Sequence, residues 1–449
     1  MSEQDTHTAS PGPTGQRIAV IGGGIAGMAA AHYLSQHHRV TLYEAGARLG
    51  GHTATIDVEH AGREYAIDTG FIVFNDRTYP HFQALLASLG VATQPTEMSF
   101  SVHERGRDFE YNGHTLATLF AQRRNLLRPR FYRMLADILR FNRRAIRDFE
   151  QDRLPPALSL DEYLTAGGYG EDFRRRYLLP MGGAIWSASE AGMRAFPARF
   201  FIRFFHHHGL LSVSDRPQWY TVSGGSRRYI EPLIAPYRER VHLHSPVTAL
   251  HRDADGVTLT TPRGEARFDQ VVLACHSDQA LAMLGETATA AEREILGAIG
   301  YASNRVVLHT DTRLLPRRRR AWASWNYRLD GRDAEACVPV TYNMNILQRL
   351  ESDTTFCVTL NDEAQIDPAQ ILARFDYAHP QFTLAAQYAQ TRFAEISQPA
   401  RRTHFCGAYW RNGFHEDGVW SAWRVAQAID GAAAAPAPNA ARPAGSEVA

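Results

Sequence analysis

The hydrophobic and polar positions of the first part of the chain predict alternating strands and helices. An apolar stretch at residues 18–21 precedes a glycine turn and a helical run at residues 28–34. A second apolar stretch, Arg39–Tyr43, has the pattern of a buried strand, and a hairpin follows that turns at Ala61 and Gly62. Residues 17–75 are therefore predicted to form a βαβ unit followed by a β-hairpin.

The pattern then changes several times, which indicates one domain interrupted by another. Residues 114–150 are helical in pattern and contain nine arginines, and residues 241–275 return to short strands that end in an apolar run. Residues 300–360 are rich in strand formers, and residues 401–430 have the pattern of a strand, a glycine loop and a helix. The length of 449 residues also exceeds what one compact core usually holds.

The composition is that of a globular protein, with 44% hydrophobic and 21% charged residues. The 48 basic and 47 acidic side chains nearly cancel, so no global field draws the chain to nucleic acid or membranes. Every basic residue other than histidine is an arginine, because the sequence contains no lysine. Schiff-base chemistry and a lysine base are thereby excluded.

The spacing of the cysteines and the sequence of residues 1–17 indicate where in the cell the protein is expected. The four cysteines are widely spaced and form no CxxC pair, so buried, reduced thiols are expected. Residues 1–17 have no basic region followed by an apolar stretch, so a secretory signal is not expected. A cytoplasmic location is the resulting expectation.

Residues 17–27, RIAVIGGGIAG, carry the clearest chemical signal. An apolar strand leads into Gly22, Gly24 and Gly27 in GxGxxG spacing and then into a helix, the context that a dinucleotide-binding fingerprint requires. The first glycine permits a tight turn, the second lets a pyrophosphate approach the backbone, and the third lets helix and strand pack closely. An ordinary βαβ crossover with a fortuitous glycine run is the alternative.

Further contacts to a dinucleotide are expected at the start of the helix and after the second strand. The amides of Ile25 and Ala26 are free to bind phosphate at the helix N-terminus. Glu44 follows the second strand, where a carboxylate accepts hydrogen bonds from the adenosine ribose hydroxyls and disfavours a 2'-phosphate. NAD and FAD both satisfy these features.

The segment from Glu44 to His52 distinguishes FAD from NAD, through its resemblance to a known family. This ExxxRxGG segment resembles the FAD-dependent amine oxidase, protoporphyrinogen oxidase and phytoene desaturase superfamily, in which it wraps around the flavin pyrophosphate. The resemblance implies FAD as cofactor. The contacts it implies in this segment are Ala45, Arg48, Leu49, Gly50, Gly51 and His52.

The same resemblance implies cofactor contacts from later parts of the chain. Residues 68–71, 245–250, 271–275 and 405–422 are similar to the family's remaining flavin-side segments. The residues implied there are Thr69, Gly70, Val247, Ala274, Cys275, Gly407, Gly418, Val419 and Ser421. Independently, a helix that begins near Gly418 or Val419 is expected to point its positive end at the flavin ring, where reduction places negative charge.

The expected fold class is α/β: a Rossmann-like, doubly wound FAD-binding domain with an inserted α+β substrate domain, as in amine-oxidase-like flavoproteins. The FAD-binding domain is predicted from three segments, 16–75, 220–285 and 399–430. The substrate domain is predicted from a mostly helical segment, 76–219, and a strand-rich segment, 286–398. Residues 1–15 and 431–449 are expected to be disordered tails.

The substrate side is expected to be an apolar pocket, because hydride transfer to flavin N5 needs a C–H bond held against the ring and shielded from water. Aromatic and aliphatic residues that are candidates for its walls occur at residues 196–211 and further along the chain. For any one of them, an ordinary core position is the alternative. They are Phe196, Phe200, Phe201, Ile202, Phe204, Phe205, Leu210, Leu211, Trp322, Trp325, Tyr342, Tyr409 and Trp410.

Three residues are weak candidates for a catalytic role. His415 is able to exchange a proton beside the flavin, with a capping role as the alternative. Asn343 is a candidate for orienting polar atoms of the substrate, with strand-end hydrogen bonding as the alternative, and Tyr409 is the third. The consecutive residues His206, His207 and His208 point in different directions, so they are expected at the surface and no metal is expected.

The sequence thus predicts an FAD-dependent oxidoreductase that dehydrogenates an apolar, lipid-like substrate and passes electrons to an acceptor that the sequence leaves open. Residues 179–187 and 341–345 resemble a bacterial flavoprotein branch linked with lipid modification. Amine oxidation is the nearer alternative, although amine-oxidising members commonly place a lysine near flavin N5. A flavin-dependent isomerase or a non-catalytic flavoprotein is the alternative of another class. Nucleic acid is not expected as a partner, and peripheral membrane contact is considered only for the arginine-rich residues 114–150.

Overall fold

The computed structural model describes residues 15–212, 214–329 and 337–431. The tails predicted for residues 1–15 and 431–449 lie outside the described residues, except for Gly15 and Gly431.

A five-stranded sheet of parallel strands forms the base of the cofactor region. Numbered in chain order, its strands lie in the order 3-2-1-4-5, which is the doubly wound arrangement. Ligands bind such sheets at the carboxyl ends of the strands where the order reverses, here between the first and fourth strands. Across the sheet the strands are Val241–His242, Arg39–Tyr43, Arg17–Ile21, Gln270–Leu273 and Thr403–Phe405.

The first helix, Ile25–Leu34, packs on this sheet through small residues. Its sequence IAGMAAAHYL supplies small residues, and most of its side chains are buried. It also packs against the last helix, His415–Asp430. The small residues let the backbones approach, so the helix N-terminus is held directly above the end of the first strand.

A seven-stranded mixed sheet forms a second layer above the carboxyl ends of the parallel strands. Its strands come from two separate parts of the sequence, so the segment predicted as mostly helical also supplies two strands to this sheet. In sheet order they are Ile371–Pro380, Tyr301–His309, Cys357–Leu360, Val340–Asn343, Trp325–Arg328, Phe100–Glu104 and Phe109–Asn112.

Smaller sheets complete the strand structure. The predicted hairpin is present, and its turn residues Ala61 and Gly62 both have positive φ. The strands outside the two large sheets are Thr55–His60 with Arg63–Asp68; Ala249–Arg252, Val257–Thr261 and Gly264–Phe268; and Phe74–Asn75, Trp219–Val222 and Thr93–Thr96.

Most of the helices lie in the two segments predicted for the substrate domain. The arginine-rich stretch 114–150, predicted as helical, is divided into a short helix, a 3-10 segment and one long helix. The other α-helices are Pro80–Ser88, Leu116–Leu119, Pro129–Glu150, Leu160–Ala166, Glu171–Phe173, Leu179–Trp186, Glu190–Ala195, Ala198–His207, Ile230–Ile234, Ser277–Leu284, Ala290–Gly297, Met344–Leu347, Leu384–Thr391 and Phe393–Ile396.

The architecture confirms the doubly wound α/β prediction. All five parallel strands fall within the segments 16–75, 220–285 and 399–430. The strand Trp219–Val222 crosses the boundary placed at residue 220, and the exact domain limits stay a prediction.

Two further features bear on the expectations from sequence. All four cysteines are free thiols; Cys357 and Cys406 are buried, and Cys275 and Cys337 are half-buried. Among the described residues, no helix combines the length and apolar character needed to cross a membrane.

We predict that Gly27→Ala destabilises the protein. A Cβ at Gly27 would lie 1.9 Å from the carbonyl oxygen of Gly22 and 3.1 Å from the Ala274 side chain, so the first helix would have to move off the sheet. The expected loss is about 1–3 kcal/mol in the free energy of unfolding, measured by urea titration. Gly106→Ala is the matched control, because a Cβ there meets nothing within 4 Å. Equal stability of the two variants would contradict this packing.

Candidate active site

A cavity of about 960 Å³ opens at the carboxyl ends of the parallel strands and extends beneath the seven-stranded sheet. This volume is at the upper end of the range of roughly 300–1,000 Å³ that is usual for cofactor and ligand sites. One end is lined mainly by backbone and glycine, and the other by aromatic and aliphatic side chains. The two ends therefore differ in the kind of ligand they suit.

The glycine motif forms the floor of the first end. Gly22 has φ +108, a conformation that favours glycine, and its amide donates to the carbonyl of Tyr43 at 2.8 Å. Gly24 is the N-cap of the first helix and provides no side-chain cap, so the free amides of the first turn are available to a ligand. A Cβ at Gly24 would meet nothing within 4 Å, and the backbone is open to the cavity there.

A second glycine loop lies against the first. The amide of Gly50 donates to the carbonyl of Gly23 at 2.8 Å, and Gly50 and Gly51 both have positive φ. The Arg48 guanidinium donates to carbonyls of this loop, including those of Thr53 and Gly51 at 3.1 Å each.

The location of Arg48 differs from the expected pyrophosphate contact. Arg48 is exposed, and neither it nor Leu49 belongs to the described cavity wall. The reason is that the Arg48 guanidinium points away from the cavity and donates hydrogen bonds to backbone carbonyls of its own loop. Arg48 thus fixes the shape of the loop whose glycines line the cavity.

Glu44 lies at the far corner of the same end. Its Oε2 accepts a hydrogen bond from the amide of Gly23 and its Oε1 one from the amide of Gly46, both at 2.7 Å. It is the only carboxylate among the described residues that line the cavity. Each oxygen keeps a second lone pair for a ligand hydroxyl.

The loop after the third parallel strand lies beside this corner. Residues 245–248 form an extended link, and the strand that was expected at 245–250 begins only at Ala249. Val247 lines the cavity from this link.

The last helix begins earlier than expected. It starts at His415 rather than near Gly418, because the Asp417 carboxylate accepts from the amide of Phe414 at 2.9 Å and caps the helix there. Gly418 therefore lies one turn inside the helix, where a Cβ would be 3.0 Å from Ile25. Residues 412–415 line the cavity in its place.

Several other expected contacts lie behind the cavity wall. Val419 is fully buried, and Ser421 accepts a hydrogen bond from the amide of Gly407 at 3.1 Å, so it supports a wall residue. Thr69 donates to the carbonyl of Ala54 at 3.2 Å, and Gly27 packs on the first strand. Expected site residues that do line the cavity are Gly22, Gly24, Ile25, Ala26, Glu44, Ala45, Gly50, Gly51, His52, Gly70, Val247, Ala274, Cys275, Gly407, Tyr409 and His415.

The three candidate catalytic residues have different surroundings. His415 is buried, its ring stacks on Phe71 with centroids 3.7 Å apart, and its Nε2 lies 3.1 Å from both Thr53 Oγ1 and the Tyr229 hydroxyl. Burial lowers the pKa of His415 well below its usual 6.5, so the ring is neutral near pH 7. Burial likewise raises the pKa of Tyr409 well above 10.

Asn343 is not part of the described cavity wall. Its Oδ1 accepts from the amide of Ile346 and caps the helix Met344–Leu347. The alternative of strand-end hydrogen bonding is thus observed, and a catalytic role for Asn343 stays a prediction.

The second end of the cavity is apolar. Five of the expected wall residues line the cavity: Phe204, Leu210, Trp325, Tyr342 and Tyr409. The other expected residues of 196–211, together with Trp322 and Trp410, are not on the described wall and pack elsewhere. Wall residues that were not expected are Met98, Phe100, Tyr111, Tyr177, Met181, Ile185, Trp186, Phe382 and Phe414.

The local backbone conformation explains why two residues that the sequence did not indicate, Tyr177 and His208, line the cavity. Tyr177 lies in a π-helical turn, Arg174–Leu178, a rare element that often occurs at functional sites. His208 was expected at the surface but is buried, lines the cavity and stacks on Phe204 with ring centroids 3.8 Å apart. His208 follows the helix Ala198–His207, and its ring turns back onto that helix.

A pair of neutral histidines lies between the two ends. His379 Nδ1 is 2.9 Å from Ser187 Oγ and 3.2 Å from Asn304 Nδ2, and its ring centroid is 5.2 Å from that of His52. Burial lowers the pKa of His52 to about 3 and that of His379 to about 4. Nothing in the sequence around His379 signals this position.

Comparison with known proteins decides the family. The family model described as flavin containing amine oxidoreductase matches residues 25–344. The chain belongs to this family. Membership of this flavin-containing family gives FAD as the cofactor. This confirms the amine-oxidase-like superfamily that the sequence resembles.

One curated relative shares part of its sequence with this chain. The chain is 27% identical over 268 residues to "Putative flavin-containing monoamine oxidase AofH" of Mycobacterium tuberculosis; the match covers 57% of this chain and 56% of that relative. The chain thus spans only about half the length of this curated relative.

Solved structures share the fold at low sequence identity. Cyclohexylamine oxidase from Brevibacterium oxydans is similar with a TM-score of 0.67 and 18% identity, over 92% of this chain and 98% of that one. A fatty acid isomerase that produces CLA, from P. acnes, is similar with a TM-score of 0.66 and 17% identity, over the same shares. These likenesses confirm the fold class.

The glycine end of the cavity fits FAD. The uncapped first helix and the open backbone at Gly24 form a cradle for a diphosphate, which a Cβ at Gly24 would enter. Glu44 offers acceptors at the ribose end. Tyr409, Gly407 and residues 412–415 enclose the space beyond the diphosphate cradle.

We predict that Gly24→Val folds but loses FAD. Gly24 has φ −74, which any residue adopts, and the new side chain would extend into the open cavity rather than into protein. Flavin absorbance of the purified protein should fall to background, while the unfolding midpoint without added FAD stays within the error of wild type. Gly24→Ala provides a graded control with partial loss. Full colour in the valine variant would contradict the placement of the cradle.

We also predict that one buried carboxyl group makes stability depend on pH. Glu416 accepts from the amides of His81 at 3.2 Å and Phe82 at 2.9 Å. Burial raises its pKa from 4.5 to about 8, with the neighbouring Asp417 adding to the rise. Because the folded state then holds a proton that the unfolded state has lost, the free energy of unfolding falls as pH rises from about 4.5 to 8.

The slope that Glu416 contributes is at most about 1.4 kcal/mol per pH unit. Glu416→Gln should remove it, whereas the exposed control Glu59→Gln should leave it unchanged; urea titrations at several pH values measure both. Parallel pH profiles of wild type and Glu416→Gln would contradict the assignment.

Proposed function

We propose that the protein catalyses FAD-dependent dehydrogenation of an apolar, lipid-like substrate. The observation that carries this proposal is the apolar second end of the cavity, with Glu44 at the opposite end. Transfer of a hydrocarbon chain from water to such walls is favourable, by about 25 cal/mol per Å² of apolar surface buried. A substrate ammonium group would lose its hydration without a carboxylate to replace it.

We propose distinct roles for the residues around the cavity. The amides of Ile25 and Ala26 and the backbones of Gly24, Gly50 and Gly51 bind the diphosphate, and Glu44 binds the ribose. Arg48 and Gly418 act from behind, through contacts with Gly51 and with Ile25. Thr69, Val419 and Ser421 support other parts of the wall, Ser421 through the amide of Gly407. The segments 16–75, 220–285 and 399–430 form the FAD-binding domain in this proposal.

The bound FAD supplies a hydride acceptor. The apolar walls orient a substrate C–H bond and exclude water from it. His415 stays neutral, and its Nε2 is held by Thr53 and Tyr229, so it places no charge beside the reacting atoms. Burial also keeps His52 and His379 neutral.

Amine oxidation is the second candidate, and one geometric feature favours it. Trp325 and Tyr342 line the cavity in an edge-to-face pair with centroids 5.1 Å apart, and aromatic faces attract cations. The name of the family and that of the AofH relative agree with this candidate. Against it stands the absence of lysine from the sequence.

The two candidates predict different results when the holoprotein is mixed without oxygen with a lipid extract or with a panel of primary amines. Under our proposal the lipid extract removes the visible absorbance of the flavin and the amines do not. Ile185→Gln, in the apolar wall, should slow reduction by lipid about tenfold, by placing a polar group against the chain. Leu372→Gln, exposed and outside the described wall, is the control. Reduction by amines alone would overturn the proposal in favour of amine oxidation.

A further inference from the structure

Exposed hydrophobic side chains are concentrated on one surface. Among the large hydrophobic residues that the structure describes, eight are exposed, and five of these lie between residues 116 and 139. Leu127 is 84% exposed and Leu116 is 77% exposed, which is unusual for leucine. The other three are Leu126, Tyr132 and Leu139.

Contacts among these residues make the surface continuous. The Tyr132 hydroxyl donates to the carbonyl of Leu126 at 3.1 Å, and the Tyr132 ring lies 6.2 Å from that of Phe120. The amide of Phe120 bonds the carbonyl of Leu116 one turn earlier at 3.2 Å. Tyr132 and Leu139 are two turns apart on the long helix and so share one face. We call this set, from Leu116 to Leu139, the leucine surface.

The same stretch is strongly basic. Between Leu116 and Leu139 there are five arginines and one acidic residue, Asp137, which is buried and paired with Arg140 at 2.7 Å. Arg123, Arg130 and Arg133 form no ion pair within 4 Å with any carboxylate that the structure describes. The turn Arg319–Ala321, with exposed Arg319 and Arg320, packs beside the helix Leu116–Leu119 and adds to the charge.

The nearby carboxylates are already engaged by other groups. Asp108 lies 3.9 Å from Arg124 and 3.8 Å from Arg318. Glu110 is buried and bonded to Arg318 at 2.6 Å, and Glu97 lies 3.7 Å from His114. Of the five arginines between Leu116 and Leu139, Arg124 alone has a described carboxylate within 4 Å, so most of the basic charge of the leucine surface is not neutralised locally.

The leucine surface adjoins the apolar end of the cavity. Gly113 and His114 line the cavity, and Leu116 follows two residues later. The backbone thus passes directly from the cavity wall to the exposed leucines. A substrate leaving a surface bound here would have a short path into the cavity.

We propose that the leucine surface docks on a bilayer that contains anionic phospholipid. Its leucines insert at the boundary of head groups and acyl chains, and its arginines contact the lipid phosphates. A second copy of the chain is a poorer partner, since two such surfaces would bring like charges together. The link to substrate delivery rests on the proposed function, whereas docking itself does not.

Sedimentation of the holoprotein with vesicles tests the docking. Vesicles of phosphatidylcholine with phosphatidylglycerol should bind the protein at low salt, and vesicles of phosphatidylcholine alone should bind it at least tenfold more weakly. Arg123→Gln with Arg130→Gln should weaken binding about fivefold for each arginine. Arg63→Gln, at the exposed hairpin turn, should leave binding unchanged.

A second pair of variants tests the apolar part. Leu126→Ser with Leu127→Ser should weaken binding roughly tenfold or more without lowering the flavin content or the unfolding midpoint. Leu372→Ser with Leu384→Ser, two exposed leucines elsewhere, is the matched control. No binding to anionic vesicles, or equal losses in both leucine pairs, would overturn the proposal. Because no turnover is measured, docking can succeed even if lipid fails to reduce the flavin.

Discussion

The close approach of glycine backbones at the end of the first strand is the constraint on which the rest of the structure depends. A Cβ at Gly27 would lie 1.9 Å from Gly22, and Gly50 bonds Gly23 through the backbone at 2.8 Å. These contacts bring a helix N-terminus and a second loop together with no side chain between them. The result is a surface of amides, which suits an anionic group such as a diphosphate.

Local backbone requirements explain which parts of the fold and site the sequence could predict. The turn at Gly22, the hairpin turn at Ala61 and Gly62, and Glu44 after the second strand each follow from short-range geometry. The start of the last helix was placed near Gly418, whereas the Asp417 carboxylate accepts from the amide of Phe414 and the helix starts at His415. A carboxylate two residues after His415 is a signal that could have located that start.

Tertiary packing explains most of what the sequence could not predict. The helix Ala198–His207 was expected to line the pocket, yet of its phenylalanines Phe204 alone lies on the described cavity wall, and Phe200, Phe201 and Phe205 fill the core. Periodicity predicts the buried face of a helix but not which neighbour that face meets. The same limit applies to His379 and to Tyr177 in its π-helical turn. The cavity's two ends differ in character but complement each other, since a backbone-lined end that suits a cofactor is joined to an apolar end.

We propose that separate segments of this chain enclose one FAD, and every role proposed for the cavity depends on this. The most direct measurement is to denature the purified protein by heat and to identify and quantify the released nucleotide by chromatography against standards. We expect one FAD per chain, in the protein as isolated or after incubation with FAD. A colourless protein that releases no flavin after such incubation, although correctly folded, would contradict this enclosure.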